Sequence, residues 1–232
     1  LPGDPDRIPK ITRLWTESKE VTRHRGYVVH TGRIGAYPVS VCSTGIGAPS
    51  TAIVVEELAR SGCKALIRVG SMGAIQRGIR CGEIVIASAA VRLEGCSKQY
   101  VRPDYPAAAD IQTTLALIEA AQNLGVEHHV GYVASTDSFY CGQERRGYGG
   151  YWQSWMDGII RDLQRSKVLG FEMESSLLFV LATLFGLKAG SVLAVFANRA
   201  TGEVAVSGES DCARVACEAV KTLYVKGMLK KT

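Results

Sequence analysis

The runs Ala65–Val69, Glu83–Val91 and Ala189–Ala197 are dominated by Val, Ile, Leu and Ala, without the polar alternation of a half-wet strand. Such strands need cover on both faces. Segments of helical period supply it: Ala52–Ala59 opened by Ser50 and Thr51, Asp110–Leu124 with Ile111, Leu115, Leu117, Ile118 and Ala121 on its apolar face, and Ser210–Leu229. Phe171–Phe185 is apolar nearly all round after its first turn, which predicts a central helix. Tyr27–His30, Pro38–Val41 and His129–Ala134 read as further strands, Ser135–Tyr151 as a loop and Trp152–Leu169 as a partial helix. The expected class is α/β: one three-layer α/β/α domain over 1–232 with a central mixed sheet.

With 232 residues and 47% hydrophobic composition, the chain can bury a sizeable core. Its net charge of +5 comes without a long basic run; at the C-terminus only Lys230 and Lys231 cluster. That balance suits a small anionic substrate better than a nucleic acid. No stretch reaches the ~18 apolar residues of a membrane span, and no secretory leader is evident. The seven cysteines include no CxxC, which predicts reduced thiols in the cytoplasm, although spacing leaves pairing open. The four histidines match no metal-ligand spacing, so no metal site is expected.

Several stretches carry chemistry. Ile67–Ala74 places Arg68 at a strand end before Gly70, Ser71 and Gly73. It reads either as a phosphate cradle, with a guanidinium fork and a close-approaching backbone, or as a strand end with a paired arginine and an ordinary turn. Pro5 behind a capping Asp4 predicts a helix start, with Gly3 and Arg7 as a second candidate anion site. Glu172 and Glu174 head the apolar helix. At i and i+2 they point roughly 200° apart, so they are expected not to serve one point. One can enter a pocket and accept from paired hydroxyls, or both can simply favour the helix dipole. Phe139, Gln143 and Arg145 offer a stacking face, a donor–acceptor amide and a donor fork, suited to a planar amide-rich heterocycle; a solvated loop is the other reading.

Pro2–Arg7, Cys42–Gly47, Arg68–Ala74, Phe139–Arg145 and Phe171–Glu174, in this order, resemble the nucleoside phosphorylase family of the uridine phosphorylase type, nearly end to end. The resemblance implies that Gly3, Arg7, Arg68 and Ser71 bind phosphate, and that Arg25 reaches the phosphate of a neighbouring subunit, so the chain works as at least a dimer. It implies a ribose segment of Glu172, Met173 and Glu174. It assigns the base to Phe139, Gln143 and Arg145, with Phe196 and Arg199 closing the pocket. Relatives with a monovalent-cation site carry a glutamate where this chain has Gly26, and Tyr148–Lys167 follows the family pattern poorly.

The implied reaction is phosphorolysis of uridine in pyrimidine salvage, with phosphate as co-substrate, no cofactor, and Arg68, Glu174 and Arg145 as the catalytic groups. Purine-cleaving relatives place an aspartate in the segment that Phe196–Arg199 matches; this chain has Asn198 and Arg199 there, which speaks against a purine. The alternatives are a purine phosphorylase or nucleosidase of the same fold, or a non-catalytic nucleoside-binding protein. A dinucleotide module is weaker, because Gly70–Gly73 is not GxGxxG.

Overall fold

A computed structural model describes residues Leu1–Leu229; Lys230 and Lys231 lie outside the described residues. After a 3₁₀ turn at Pro5–Arg7 capped by the Asp4 carboxylate, α1 runs Ile8–Thr12. A three-stranded antiparallel sheet follows: β1 (Glu17–His24), β2 (Tyr27–Ile34) and β3 (Tyr37–Cys42). Then come α2 (Ala48–Arg60), β4 (Ala65–Ala74), β5 (Ile84–Arg92), β6 (Ala107–Ala108), α3 (Ile111–Asn123), β7 (His128–Ser135), α4 (Ile159–Arg165), β8 (Gly170–Glu172), α5 (Ser175–Leu184), β9 (Lys188–Asn198), β10 (Glu203–Val204) and α6 (Glu209–Val225).

The main sheet has the order β10-β9-β4-β8-β7-β5-β6 and mixes parallel with antiparallel pairs, as expected. It curls until β5 also pairs with β9. One face packs α2 and α5 through Val55, Met72, Leu177 and Leu181; the other packs α1, α3 and α6 through Ile8, Leu117, Val192 and Val215. No helix among the described residues is long and apolar enough to cross a membrane. The seven cysteines are all unpaired.

Some local expectations fail for physical reasons. The glycines after Arg68 do not form a turn: β4 continues to Ala74, pairing with β9 along its length and with β8 at Gly73–Ala74. The predicted helix Phe171–Phe185 begins as strand β8, and α5 starts only at Ser175. Helix α2 starts before Ser50, at Ala48 with Pro49 in its first turn. Ile111 and Leu115 on α3 are exposed, while Thr113, Ala116 and Ala120 face the core. Strand β1 has no sequence signal, since all eight of its residues are exposed.

Candidate active site

Three-residue β8 joins β4 to β7, and the candidate site gathers around it. Arg68 is buried in mid-β4 on the α5 side. Its Nε donates to Glu172 Oε2 at 3.0 Å and its Nη2 lies 2.6 Å from Glu174 Oε2. The expectation that two carboxylates at i and i+2 diverge is thereby corrected. The 200° argument assumed a helix, but Glu172 ends a strand and Glu174 is the N-cap of α5, so both turn onto one guanidinium.

The two carboxylates differ. Glu172 accepts from the backbone N–H groups of Glu174 and Ser175 at 3.0 and 2.9 Å, from Ser175 Oγ at 2.9 Å and from Ser135 Oγ. It is fully engaged and caps the otherwise orphaned N–H groups of α5. Among the described residues, Glu174 accepts a hydrogen bond from the N–H of Gly47 at 2.6 Å and is otherwise held by its ion pair with Arg68. Burial pushes its carboxyl above the ordinary carboxylate range; Arg68 counters this and Glu172 adds to it. Met173, half-buried, lies between them.

Gly70 explains how an arginine can lie on a packed strand. A Cβ there would sit 2.7 Å from Arg68 Cζ and 2.7 Å from Leu193 Cδ2, so the missing side chain leaves the space the guanidinium fills.

On the other face of β4, Ser71 Oγ accepts from Arg7 Nη2 at 3.0 Å. Arg7 Nε donates to Glu209 at 2.7 Å, and its guanidinium stands 5.4 Å from the Phe196 ring centre. Phe196 thus lies beside Arg7. The edge of β4 joins the two faces. Leu1 pairs with it through Ile67 and Val69, and β8 takes it again from Gly73, which leaves Gly70–Met72 between them. Strand alternation puts the N–H of Ser71 on the same edge as that of Val69. Gly3 follows Leu1 by two residues, and a Cβ on it would come within 3.1 Å of the Gly45 carbonyl oxygen.

The third group stands at the end of β7. Gln143 is buried; its Nε2 donates to Thr136 Oγ1 at 3.0 Å and its Oε1 accepts from Arg145 Nη1 at 2.6 Å. Arg145 also donates to the Phe139 carbonyl and lies 4.1 Å over the Phe139 ring. An added Cβ on Gly73 would be 3.9 Å from Arg145 Nη2, so this group, too, borders β4. Burial, reinforced by nearby Arg199, pushes Arg145 down to about 10. Arg199 donates to the carbonyls of Gln143 and Glu144, and so clamps the loop through its backbone. Arg25 stands apart, exposed at positive φ on the tip of the β1–β2 hairpin, with no hydrogen bond or ion pair among the described residues.

A family model described as the Phosphorylase superfamily matches residues 1–230. The chain belongs to that superfamily. It is 58% identical over 223 residues to a uridine phosphorylase of Thermococcus kodakarensis, covering 96% of this chain and 80% of the relative. It is 40% identical to a uridine phosphorylase of Escherichia coli, covering 96% and 90%. It is 36% identical to a guanosine phosphorylase of Halorubrum lacusprofundi, covering 87% and 78%.

For a member of this superfamily, the structure adds residues that the motifs did not supply. Glu209 holds Arg7, Thr136 orients Gln143 and Ser135 braces Glu172, while Gly47, inside the Cys42–Gly47 motif, holds Glu174. Asn198 is buried; its Nδ2 donates to the carbonyls of Gln76 and Ile79, and its Oδ1 accepts from the N–H of Ala200. No signal in the sequence pairs Arg7 with a residue 202 positions away.

Proposed function

We propose that this chain is a pentosyltransferase that cleaves uridine reversibly with inorganic phosphate, giving uracil and ribose 1-phosphate. The observation that carries the reading is the fixed Gln143–Arg145 pair. With its orientation set by Thr136 and Arg145, Gln143 offers one remaining Nε2 proton and one remaining Oε1 lone pair, and Arg145 offers further donors. Donor, acceptor, donor is the complement of the uracil edge O2, N3–H, O4. The identity to uridine phosphorylases over most of the chain supports the same substrate.

Phosphate enters at the Gly70–Met72 gap, where Arg68 reaches from one face and Arg7 and Ser71 from the other, with Gly3 closing the side. Glu174 accepts from the ribose hydroxyls, which makes attack at the anomeric carbon effectively unimolecular. As the glycosidic bond lengthens, positive charge on the sugar faces the phosphate, and negative charge on the base faces Arg145. Met173 lines the sugar, and Phe139 covers the base. Glu172 acts by fixing Arg68 and the start of α5. Arg25 serves the phosphate of a second copy, so the working unit is at least a dimer. The unpaired thiols fit a reducing compartment such as the cytoplasm. The reading gives no step to a metal or organic cofactor.

A purine reading draws on the guanosine phosphorylase relative. The occupied donors of Asn198 argue against it, since that side chain has no proton to deliver to a departing purine. The test is ³¹P NMR of the enzyme with uridine and phosphate. Ribose 1-phosphate should grow in step with uracil; free ribose with phosphate unconsumed would make the protein a nucleosidase.

A further inference from the structure

Among the described residues, the Arg7 side chain, part of the proposed phosphate site, makes its hydrogen bonds and ion pair with Ser71 and Glu209 and with no side chain in the first turns of the chain. Its own segment, Pro5–Arg7, is a single 3₁₀ turn at the protein surface. An arginine on such a support retains several rotatable bonds, so a second group must hold it. The structure supplies one from the far end of the sequence. Glu209 is the first residue of α6, directly after Gly208, whose φ of +85° starts the helix. Its two oxygens are divided: Oε1 takes the Nε–H of Arg7 at 2.7 Å and Oε2 takes Lys10 Nζ at 2.6 Å.

The choice of nitrogen matters. A carboxylate on Nε fixes the guanidinium from its inner side and leaves the Nη1 and Nη2 donors facing outward. Nη2 is already aimed at Ser71 Oγ. Phe196 closes the flat face of the guanidinium. The Arg7 side chain is 12% exposed and that of Glu209 20%, so the pair is shielded from the screening that makes surface ion pairs weak. Burial raises the Glu209 carboxyl, but hydrogen bonds from Lys10 and Arg7 overcome this and hold it below its ordinary range. An anion next to a phosphate site would ordinarily repel the ligand. Lys10 neutralises that charge from the solvent side, and the three groups together carry one net positive charge.

We infer that Glu209 is a positioning residue for the phosphate co-substrate, acting through Nε of Arg7, with Lys10 as its counter-charge. This deepens the phosphorolysis reading and rests on it. It ties α6 to the site: movement of the start of that helix moves the phosphate-binding arginine.

The test is initial-rate kinetics with phosphate and uridine varied separately, for wild type, Glu209→Gln, Glu209→Ala, Arg7→Ala and the double variant Arg7→Ala/Glu209→Ala. Misplacing Arg7 should raise KM for phosphate between about 10- and 100-fold in Glu209→Ala, with kcat and KM for uridine near wild type. Glu209→Gln keeps an acceptor for Nε and should recover most of the loss. In the double variant the Glu209 effect should vanish, since Glu209 works only through Arg7. Equal loss toward both substrates, full additivity in the double variant, or a phosphate KM that Glu209→Ala leaves unchanged overturns the assignment. The rise of Tm with added phosphate is measured on the same proteins. A wild type inert toward uridine would sink the phosphorolysis reading, while a phosphate-dependent Tm rise lost in Glu209→Ala and kept in Glu209→Gln would still uphold this one.

Discussion

Glu172 and Glu174 share one guanidinium, with Arg68 Nε 3.0 Å from the first and Arg68 Nη2 2.6 Å from the second. The first carboxylate is saturated by its own chain and the second is not. This asymmetry separates a residue that builds the site from one that is free to meet a ligand.

Glu172→Gln should therefore be mainly a stability variant. An amide nitrogen placed among the N–H groups of Glu174 and Ser175 would set donor against donor. Breaking this buried pair should cost about 3–5 kcal/mol, read by chemical denaturation. Glu174→Gln keeps most of that network and should lose turnover while keeping more of its stability. Equal stability loss in both variants would erase the distinction.

Removing the arginine tests the opening motif of β4. Arg68→Ala should cost on the order of 2.7–4 kcal/mol in kcat/KM, the range of a lost preorganised donor. Rates must be normalised to the folded fraction, because two buried carboxylates lose their cation. Near-wild-type turnover would contradict the role given to Arg68.

Gly70→Ala probes the same site without touching a functional group. The new methyl would meet Arg68 Cζ and Leu193 Cδ2, each at 2.7 Å. Overpacking of this kind costs roughly 1–3 kcal/mol. Turnover should fall together with stability, as the guanidinium is pushed off its carboxylates; a fully active and stable variant would show that the space is not needed.

Much of the architecture was legible because its signals lie in consecutive residues. The apolar runs of β4, β5 and β9 needed cover on both faces, and they have it. What failed has particular causes. Glycine at Gly70 and Gly73 suggests a turn when read locally, yet both lie on a continuing strand, where Gly70 makes room for the Arg68 guanidinium. Strand β8 is three residues long and merges into a helical pattern, so the sequence period wrongly places Glu172 and Glu174 on one helix. Strand β1 is exposed throughout and gives no apolar period. Phe139, Gln143 and Arg145 were visible as types, but the fixed orientation of their loop depends on Thr136 and Arg199, which only the fold brings to it.

Asn198→Asp should not create purine cleavage. The asparagine amide donates to the carbonyls of Gln76 and Ile79, and an ionised carboxylate there would face both oxygens without a donor. The expected result is a loss of about 1–3 kcal/mol or more in stability, with no release of hypoxanthine from inosine. Efficient inosine cleavage by a stable variant would contradict this.

The acid limb of stability should depend on Glu83. Burial opposes ionisation of its carboxyl, but hydrogen bonds from the Arg80 backbone, His129 and the Arg80 side chain outweigh it and hold the group at about 2, against an ordinary 4.5. A lowered folded value means stability that is present above 4.5 and lost as pH falls toward 2. Glu83→Gln should flatten the fall of stability with pH in that window, measured by denaturation at stepped pH. An unchanged slope would count against this pairing.

The most direct test of the central claim is uracil release from uridine with and without inorganic phosphate, with inosine as control. The account predicts rapid release that depends on phosphate and no comparable cleavage of inosine. Release at the same rate without phosphate, or a preference for inosine, would contradict it.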